Sequence, residues 1–147
     1  ASGYPISAVL FREELGSWPP GAHGTTFGGQ AVAAAAAHAT LDLLEGGLQE
    51  NAARLGEFLL AELRALKRRF PFLGDVRGRG LMIGLDFGDP DHPQPDLRDK
   101  AVRLAFEKGL LLLPAGPSAL RIAPPLVLTQ EEAALGLEIL EEVFRAL

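Results

Sequence analysis

The sequence predicts a mixed α+β fold in which helices pack on one face of a small antiparallel sheet. Over residues 48–70, apolar residues recur at a 4-3-4-4-3-4 spacing, which is typical of one stripe along an amphipathic helix. Over residues 76–87, apolar residues instead alternate with small or polar ones, as in a strand with one covered face. These two periodicities in neighbouring segments predict a long helix that lies against a strand.

The segments before residue 48 predict a different layer. An apolar segment of strand length opens the chain at residues 1–11 and predicts a buried strand. A loop rich in Gly, Pro, Ser and Thr follows at residues 16–29, and an Ala-rich helix is predicted over residues 30–45. Glycines end that helix. We therefore expect residues 1–47 to be the tail of one layer and the remainder to form a small domain of its own.

The last third of the chain predicts two more helices and two more strands. A proline-rich loop precedes a helix predicted over residues 97–108. Residues 110–113 and 120–122 predict strands, the second of which pairs back on the first. Thr129 and Glu132 fit the T-x-x-E capping box, so the final helix is predicted to begin there.

Composition argues against several classes of function. A net charge of -5 disfavours nucleic acid as a partner, and the apolar runs are too short to cross a membrane. The chain has no cysteine and nothing resembling a signal peptide, so we expect a soluble cytoplasmic protein. The three histidines lack metal-ligand spacing, so no metal site is predicted. Asp42, Asp75 and Asp86 do not show the spacing of a paired-carboxylate hydrolase site.

The loop before the Ala-rich helix is the first candidate site. It places the hydroxyls of Thr25 and Thr26 among glycines at the predicted helix start. Free backbone N–H groups and the positive end of the helix dipole meet there, which is an arrangement that binds phosphate. Threonines at helix starts are also ordinary N-caps, so the residues alone leave both interpretations open. His23 is either a partner of an aromatic cofactor or a structural donor.

Arg121 is the second candidate site, because it is a lone cation between Leu120 and Ile122 in an apolar strand. Its planar fork suits bidentate binding of a carboxylate. A salt bridge to one of the nineteen acidic residues is an equally good interpretation. For Arg77 and Arg79, which are expected to share one face of a strand, a structural ion pair is favoured.

Three segments, taken together and in order, resemble the class III aminotransferases, with the nearest resemblance to 4-aminobutyrate and related omega-amino acid members. They are GTTFGG at residues 24–29, GDVRGRGLM at 74–82 and LRIAPPL at 120–126. The resemblance implies the C-terminal part of a pyridoxal-phosphate-dependent transferase of fold type I. Residues 1–47 would then be the tail of the large cofactor-binding α/β domain, and residues 48–147 the small C-terminal domain.

The same resemblance implies roles for the candidate residues and a cofactor, pyridoxal 5'-phosphate. Thr26 corresponds to the threonine that binds the cofactor phosphate of the neighbouring subunit in a homodimer, and Thr25 lies beside it. Arg121 corresponds to the arginine that binds the carboxylate of the amino acid or 2-oxo acid substrate. One departure is that Gln30-Ala31 stands where the family usually has Asn-Pro.

The resemblance also implies that the catalytic residue lies upstream of this chain. In the family, the Schiff-base lysine precedes the Gly-x-Pro that matches residues 3–5, and Lys67, Lys100 and Lys108 do not occupy that position. Because that lysine holds the cofactor and moves the proton, we expect the chain alone to be inactive and to bind the cofactor weakly at most.

The predicted activity of the parent enzyme is transfer of an amino group from an omega-amino acid, such as 4-aminobutyrate, to a 2-oxo acid. An amino acid racemase or aminomutase of the same family is the first alternative, since it would use the same cofactor site. A non-catalytic module that binds anions or mediates dimerisation, through the Thr25-Thr26 loop and Arg121, is the second.

Overall fold

The computed structural model describes residues 2–147, so residue 1, at the start of the predicted first strand, lies outside the described residues. The chain divides into two compact units, Ala1–Gly47 and Leu48–Leu147. The helices and strands are α1 (Ala31–Leu43), α2 (Gln49–Arg69), β1 (Leu73–Arg79), β2 (Met82–Phe87), α3 (Pro95–Glu107), β3 (Leu113–Ala115), β4 (Ala119–Ile122) and α4 (Gln130–Arg145).

The first unit consists of an extended segment, a loop and helix α1. The strand predicted at its beginning is wrong, because residues 5–12 have no regular secondary structure and a short 3₁₀ turn, Glu13–Leu15, follows. Val9 and Leu10 are 80% and 98% exposed. A strand needs backbone partners on a neighbouring strand, and the described part of this unit contains none.

Helix α1 matches the predicted Ala-rich helix, and the predicted glycine stop is confirmed. The segment Leu44–Leu48 follows α1 and contains a kink at Gly47, whose φ of 121° is not helical. A positive φ of this size is open to glycine and strained for other residues, so the regular helix ends there.

The second unit contains a four-stranded antiparallel sheet with the strand order β1-β2-β4-β3. The single strand predicted over residues 76–87 is in fact a hairpin, with β1 and β2 joined through Gly80 and Leu81. Gly80 has φ of +53°, the left-handed conformation that a two-residue hairpin turn requires. The alternation ran unbroken through the turn because Leu81 is buried like the strand residues that follow it.

The helices cover one face of this sheet. α2 and α3 contact the strands directly, and α4 packs against both helices. The fully buried side chains include Leu55, Leu63, Ile83, Leu85, Phe87, Leu120 and Val143. Phe70, Phe72, Phe87 and Phe144 add an aromatic cluster, with ring centroids between 5.6 and 6.0 Å apart for the pairs in contact. The predicted α+β class, with helices on an antiparallel sheet, is confirmed.

The predicted capping box at the start of α4 is present. The backbone N–H of Glu132 donates to Thr129 Oγ1 at 3.2 Å, and the backbone N–H of Thr129 donates to Glu132 Oε2 at 2.9 Å. Two N–H groups at the open end of the helix thereby gain partners. Across residues 2–147, no helix combines the length and the apolar character that crossing a membrane requires.

We expect Thr129→Ala to lower the free energy of unfolding by about 1 kcal/mol, because the Glu132 N–H loses its acceptor. Thr129→Ser keeps the hydroxyl and is the matched control, with stability close to that of the wild type. Urea unfolding followed by circular dichroism measures both variants. Equal losses for serine and alanine would show that the methyl group of Thr129, and not its hydrogen bond, is what matters.

Candidate functional site

The sheet of the second unit has an open face, opposite the helices, that carries the charged candidates. Alternation along the strands places Arg77, Gly84, Asp86 and Arg121 on this face. Arg77 of β1 pairs with Gly84 of β2, and Gly84 pairs in turn with Arg121 of β4. The two arginines therefore stand in one row across the sheet, with a glycine between them.

An open pocket of about 560 Å³ lies over this row. Its lining comprises Arg77, Gly78, Arg79, Met82, Ile83, Gly84, Ala115, Ala119 and Arg121. Three arginines and no acidic residue belong to this lining, so the pocket is suited to an anionic ligand.

Arg77 is bound by two carboxylates. Its Nη2 donates to Asp86 Oδ1 at 3.0 Å, its Nη1 donates to Asp86 Oδ2, and Nη1 also lies 3.2 Å from Asp75 Oδ2. The two hydrogen bonds to Asp86, followed by the one to Asp75, raise the pKa of Arg77 above its ordinary value. The ion pair favoured for Arg77 on sequence grounds is confirmed, and its partners are two of the aspartates that showed no paired spacing.

The Arg77 side chain lies across β2 at Gly84. A Cβ atom added at Gly84 would stand 3.8 Å from Cγ, Cζ and Nη2 of Arg77, which is ordinary van der Waals contact. The guanidinium of Arg77 thus rests over the backbone of Gly84 on its way to Asp86. A side chain larger than that of alanine would occupy the space that Arg77 uses.

Arg121 makes no salt bridge or side-chain hydrogen bond among the described residues of the second unit. It is exposed, and its backbone pairs with Gly84 on one side and Leu113 on the other. Its backbone is thus fixed by the sheet while its guanidinium is available to a ligand. For Arg79 the favoured ion pair is wrong, since within the described part of this unit it too has no acidic partner.

Arg98 supports the strand that carries Arg121, and it was missed in the sequence. Its Nη1 donates to the carbonyl oxygen of Ala119 at 3.1 Å, and its Nε donates to Asp99 Oδ1 at 2.6 Å. The side chain is only 9% exposed, so α3 is tied to β4 by a buried charge-assisted bond. Its 3-4 spacing with Ala101 and Ala105 on the buried stripe of α3 was a signal that could have revealed it.

In the first unit, the threonine loop forms part of a separate open pocket of about 590 Å³. Its lining comprises Pro5, Ile6, Ser7, His23, Thr25, Phe27, Gly28, Gly29, Gln30 and Ala33. Thr25 belongs to this lining and Thr26 does not. A Cβ added at Gly28 would collide with the methyl group of Thr25, so a larger residue there would require the Thr25 side chain to shift.

The donor groups at this pocket fit a phosphate. The N-cap residue of α1, Gln30, makes no side-chain capping bond, so it leaves the N–H groups of the first helical turn without a partner from its side chain. The lining adds the hydroxyls of Ser7 and Thr25 and contains no acidic side chain. Hydroxyls, free N–H groups and the positive helix end together are the usual environment of a bound phosphate.

Residues 1–144 of the chain match the family model described as "Aminotransferase class-III". The chain belongs to the class III aminotransferase family. It is 41% identical to an alanine/serine racemase from Pyrococcus horikoshii, with 99% of this chain and 31% of that protein covered. It is also 41% identical to an acetylornithine aminotransferase from Bacillus subtilis, with 90% of this chain and 33% of that protein covered.

Solved structures of aminotransferases share the fold. An acetylornithine aminotransferase from Elizabethkingia anophelis superposes with a TM-score of 0.79 at 32% identity, over 90% of this chain and 34% of that one. An amine transaminase from an uncultivated Pseudomonas species, in the PLP-bound form, superposes with a TM-score of 0.76 at 39% identity. The match covers 85% of this chain and 30% of that one.

The class III chain described here spans about a third of the length of the curated relatives that it matches. The family resemblance and the assignment to the C-terminal part of fold type I are confirmed by these comparisons. The domain assignment of residues 1–47 and 48–147, and the roles of Thr25, Thr26 and Arg121, stay predictions.

Proposed function

We propose that the enzyme containing this chain is a pyridoxal-phosphate-dependent aminotransferase that transfers an amino group from an amino acid or amine to a 2-oxo acid. The observation that carries the proposal is the free fork of Arg121 on the open face of the sheet, in a chain of this family. Every 2-oxo acid acceptor has a carboxylate, and a planar guanidinium binds that group through two parallel hydrogen bonds. Arg121 would orient the acceptor in this way.

We further propose an omega-amino acid as the donor. Several relatives are acetylornithine aminotransferases, and acetylornithine, like 4-aminobutyrate, has an amine at one end of a flexible chain and a carboxylate at the other. The same arginine can then bind the donor carboxylate in one half-reaction and the acceptor carboxylate in the other. Acetylornithine and 4-aminobutyrate are therefore the donors to compare.

For the cofactor phosphate, we propose Thr25, Thr26 and the free N–H groups at the start of α1. The absence of an acidic side chain from the described lining of this pocket supports a dianionic group there. We place Thr26 on the cofactor of the neighbouring subunit of a cytoplasmic homodimer, because it matches the threonine with that role in the family to which the chain belongs. When bound, the cofactor supplies the electron sink that carries the amino group between donor and acceptor.

We assign no catalytic residue within this chain. Lys100 Nζ donates to the carbonyl oxygens of Ala146 and Leu147, and Lys108 Nζ donates to Glu142 at 2.7 Å. These contacts give both side chains structural partners in the second unit. The chemistry that we assign to the chain is binding and orientation: phosphate at the threonine loop and carboxylate at Arg121.

The experiment that tests the activity is a spectroscopic half-reaction with the cofactor-loaded, full-length protein. Acetylornithine or 4-aminobutyrate is expected to convert the cofactor to its amine form, and 2-oxoglutarate is expected to restore the original spectrum. Conversion by one donor only would identify the substrate. No conversion by any amine in a broad panel, with the cofactor bound, would contradict the aminotransferase proposal.

The racemase relative from Pyrococcus horikoshii supports one second candidate, amino acid racemisation. The same protein is incubated with alanine or serine in deuterated water, without any 2-oxo acid. Deuterium incorporation at the α-carbon with loss of optical rotation, and no accumulation of the amine form of the cofactor, would favour racemisation over amino transfer.

A further inference from the structure

The open face contains an acidic residue within reach of the free arginine. Asp86 of β2 pairs with Ala119 of β4, and Gly84 pairs with Arg121, so Asp86 and Arg121 are diagonal neighbours on adjacent strands. Diagonal neighbours in an antiparallel sheet lie about 7–8 Å apart, a distance that an arginine side chain spans easily. Arg121 nevertheless makes no ion pair among the described residues of its unit.

Asp86 is already paired with Arg77. Arg77 engages both carboxylate oxygens of Asp86 and one oxygen of Asp75. Its fork lies over Gly84, on the strand between its own strand and the one that carries Arg121. The guanidinium of Arg77 thus holds the carboxylates of both Asp75 and Asp86. Arg121 is left without a carboxylate partner among the described residues of its unit.

We propose that Arg77 is a positioning residue that keeps Arg121 available to a substrate carboxylate by holding Asp86. This inference rests on the carboxylate-binding role proposed above for Arg121. Without Arg77, Asp86 would pair with Arg121 and compete with the substrate for its fork. Gly84 contributes to this arrangement, because Arg77 crosses its backbone to reach Asp86.

A purely structural ion pair would behave differently. The Arg77 side chain is 55% exposed, Asp75 is 55% exposed and Asp86 is 27% exposed, and ion pairs that keep contact with water contribute little to the stability of a fold. Loss of Arg77 is therefore expected to change ligand binding at Arg121 more than it changes unfolding. The decisive question is whether removal of Asp86 offsets the loss of glutarate affinity that removal of Arg77 causes.

The test compares Arg77→Ala, Asp86→Ala and the double variant in the cofactor-loaded, full-length protein. The ligand is glutarate, an unreactive dicarboxylate, and its Kd is measured by calorimetry. Arg77→Ala is expected to weaken glutarate binding about fivefold, the effect of a competing exposed ion pair. Asp86→Ala is expected to bind at least as tightly as the wild type, and removal of Asp86 from the Arg77→Ala variant is expected to restore binding.

A second measurement reports on Arg121 without any ligand. In the Arg77→Ala variant, a new ion pair with Asp86 is expected to slow hydrogen exchange at the Nε–H of Arg121, as observed by nitrogen-15 NMR. The wild type and the double variant are expected to show fast exchange. Equal exchange rates in all three proteins would overturn the inference.

Two results separate this inference from the proposed function. If Arg121→Ala abolishes glutarate binding while the double variant stays as weak as Arg77→Ala, Arg121 keeps its role and the inference about Arg77 is wrong. If Arg121→Ala binds glutarate as tightly as the wild type, the carboxylate role of Arg121 is wrong, and the inference falls with it.

Discussion

Replacement of Gly56 by alanine is expected to destabilise the second unit by about 3 kcal/mol, at the upper end of the usual cost of overpacking. Gly56 is buried in α2, where the helix crosses the turn between β1 and β2. An added Cβ would lie 2.5 Å from the carbonyl carbon of Gly80 and 2.6 Å from its Cα, and closer still to its carbonyl oxygen. These are backbone atoms, so the collision is relieved only if the helix moves off the hairpin.

Gly136→Ala in α4 is the matched control, with the opposite sign. There the added Cβ would meet Leu110 Cδ1 at 3.9 Å, an ordinary contact, on the wall of an apolar cavity of about 90 Å³. Alanine in a helix interior is favoured over glycine by about 1 kcal/mol, so we expect this variant to be more stable than the wild type. Urea unfolding measures both changes. A stable Gly56→Ala protein would show that α2 does not approach the hairpin this closely.

The contrast between these two glycines shows where sequence patterns stop being informative. Both glycines lie within segments that are predicted to be helical, and nothing in the sequence distinguishes one from the other. What separates them is the neighbouring element, a hairpin turn in one case and a leucine side chain in the other. Helices α2 and α4 were predictable because periodicity and the capping box are local, whereas the contacts of their glycines depend on tertiary packing.

The strands show the same division. The alternation over residues 76–87 correctly identified the covered side chains, but it concealed a hairpin, because the turn residue Leu81 is buried in phase with them. The prediction of a strand at residues 1–11 was wrong because composition alone does not supply a partner strand. The apolar composition of this segment is that of a strand, but the described part of its own unit has no strand to pair with it.

Arg121 was recognisable in the sequence as a lone cation in an apolar strand, but whether it was free was not. That outcome depends on which carboxylates share its face and whether another cation holds them. Strand register decides both, by placing Asp86 diagonally from Arg121 and Arg77 beside Gly84. The buried bond from Arg98 to Ala119 likewise joins residues 21 positions apart and has no local signature beyond helical spacing.

Arg121→Ala is expected to lower kcat/KM for the 2-oxo acid about 100-fold or more, because a bidentate pair contributes two charge-assisted hydrogen bonds of roughly 1.5–3 kcal/mol each. Arg121→Lys keeps the charge but loses the fork, so we expect an intermediate loss of about tenfold. Stopped-flow measurement of the acceptor half-reaction isolates the step in which the 2-oxo acid binds.

Folding provides the control for this prediction, because Arg121 is exposed and has no side-chain partner among the described residues of its unit. The unfolding midpoints of both variants are therefore expected to stay close to that of the wild type. A fall in stability that parallels the fall in kcat/KM would point to a structural role. A lysine variant as active as the wild type would show that charge alone suffices and that the planar fork is not used. The graded order of arginine, lysine and alanine at constant stability is the result that a carboxylate-binding fork requires.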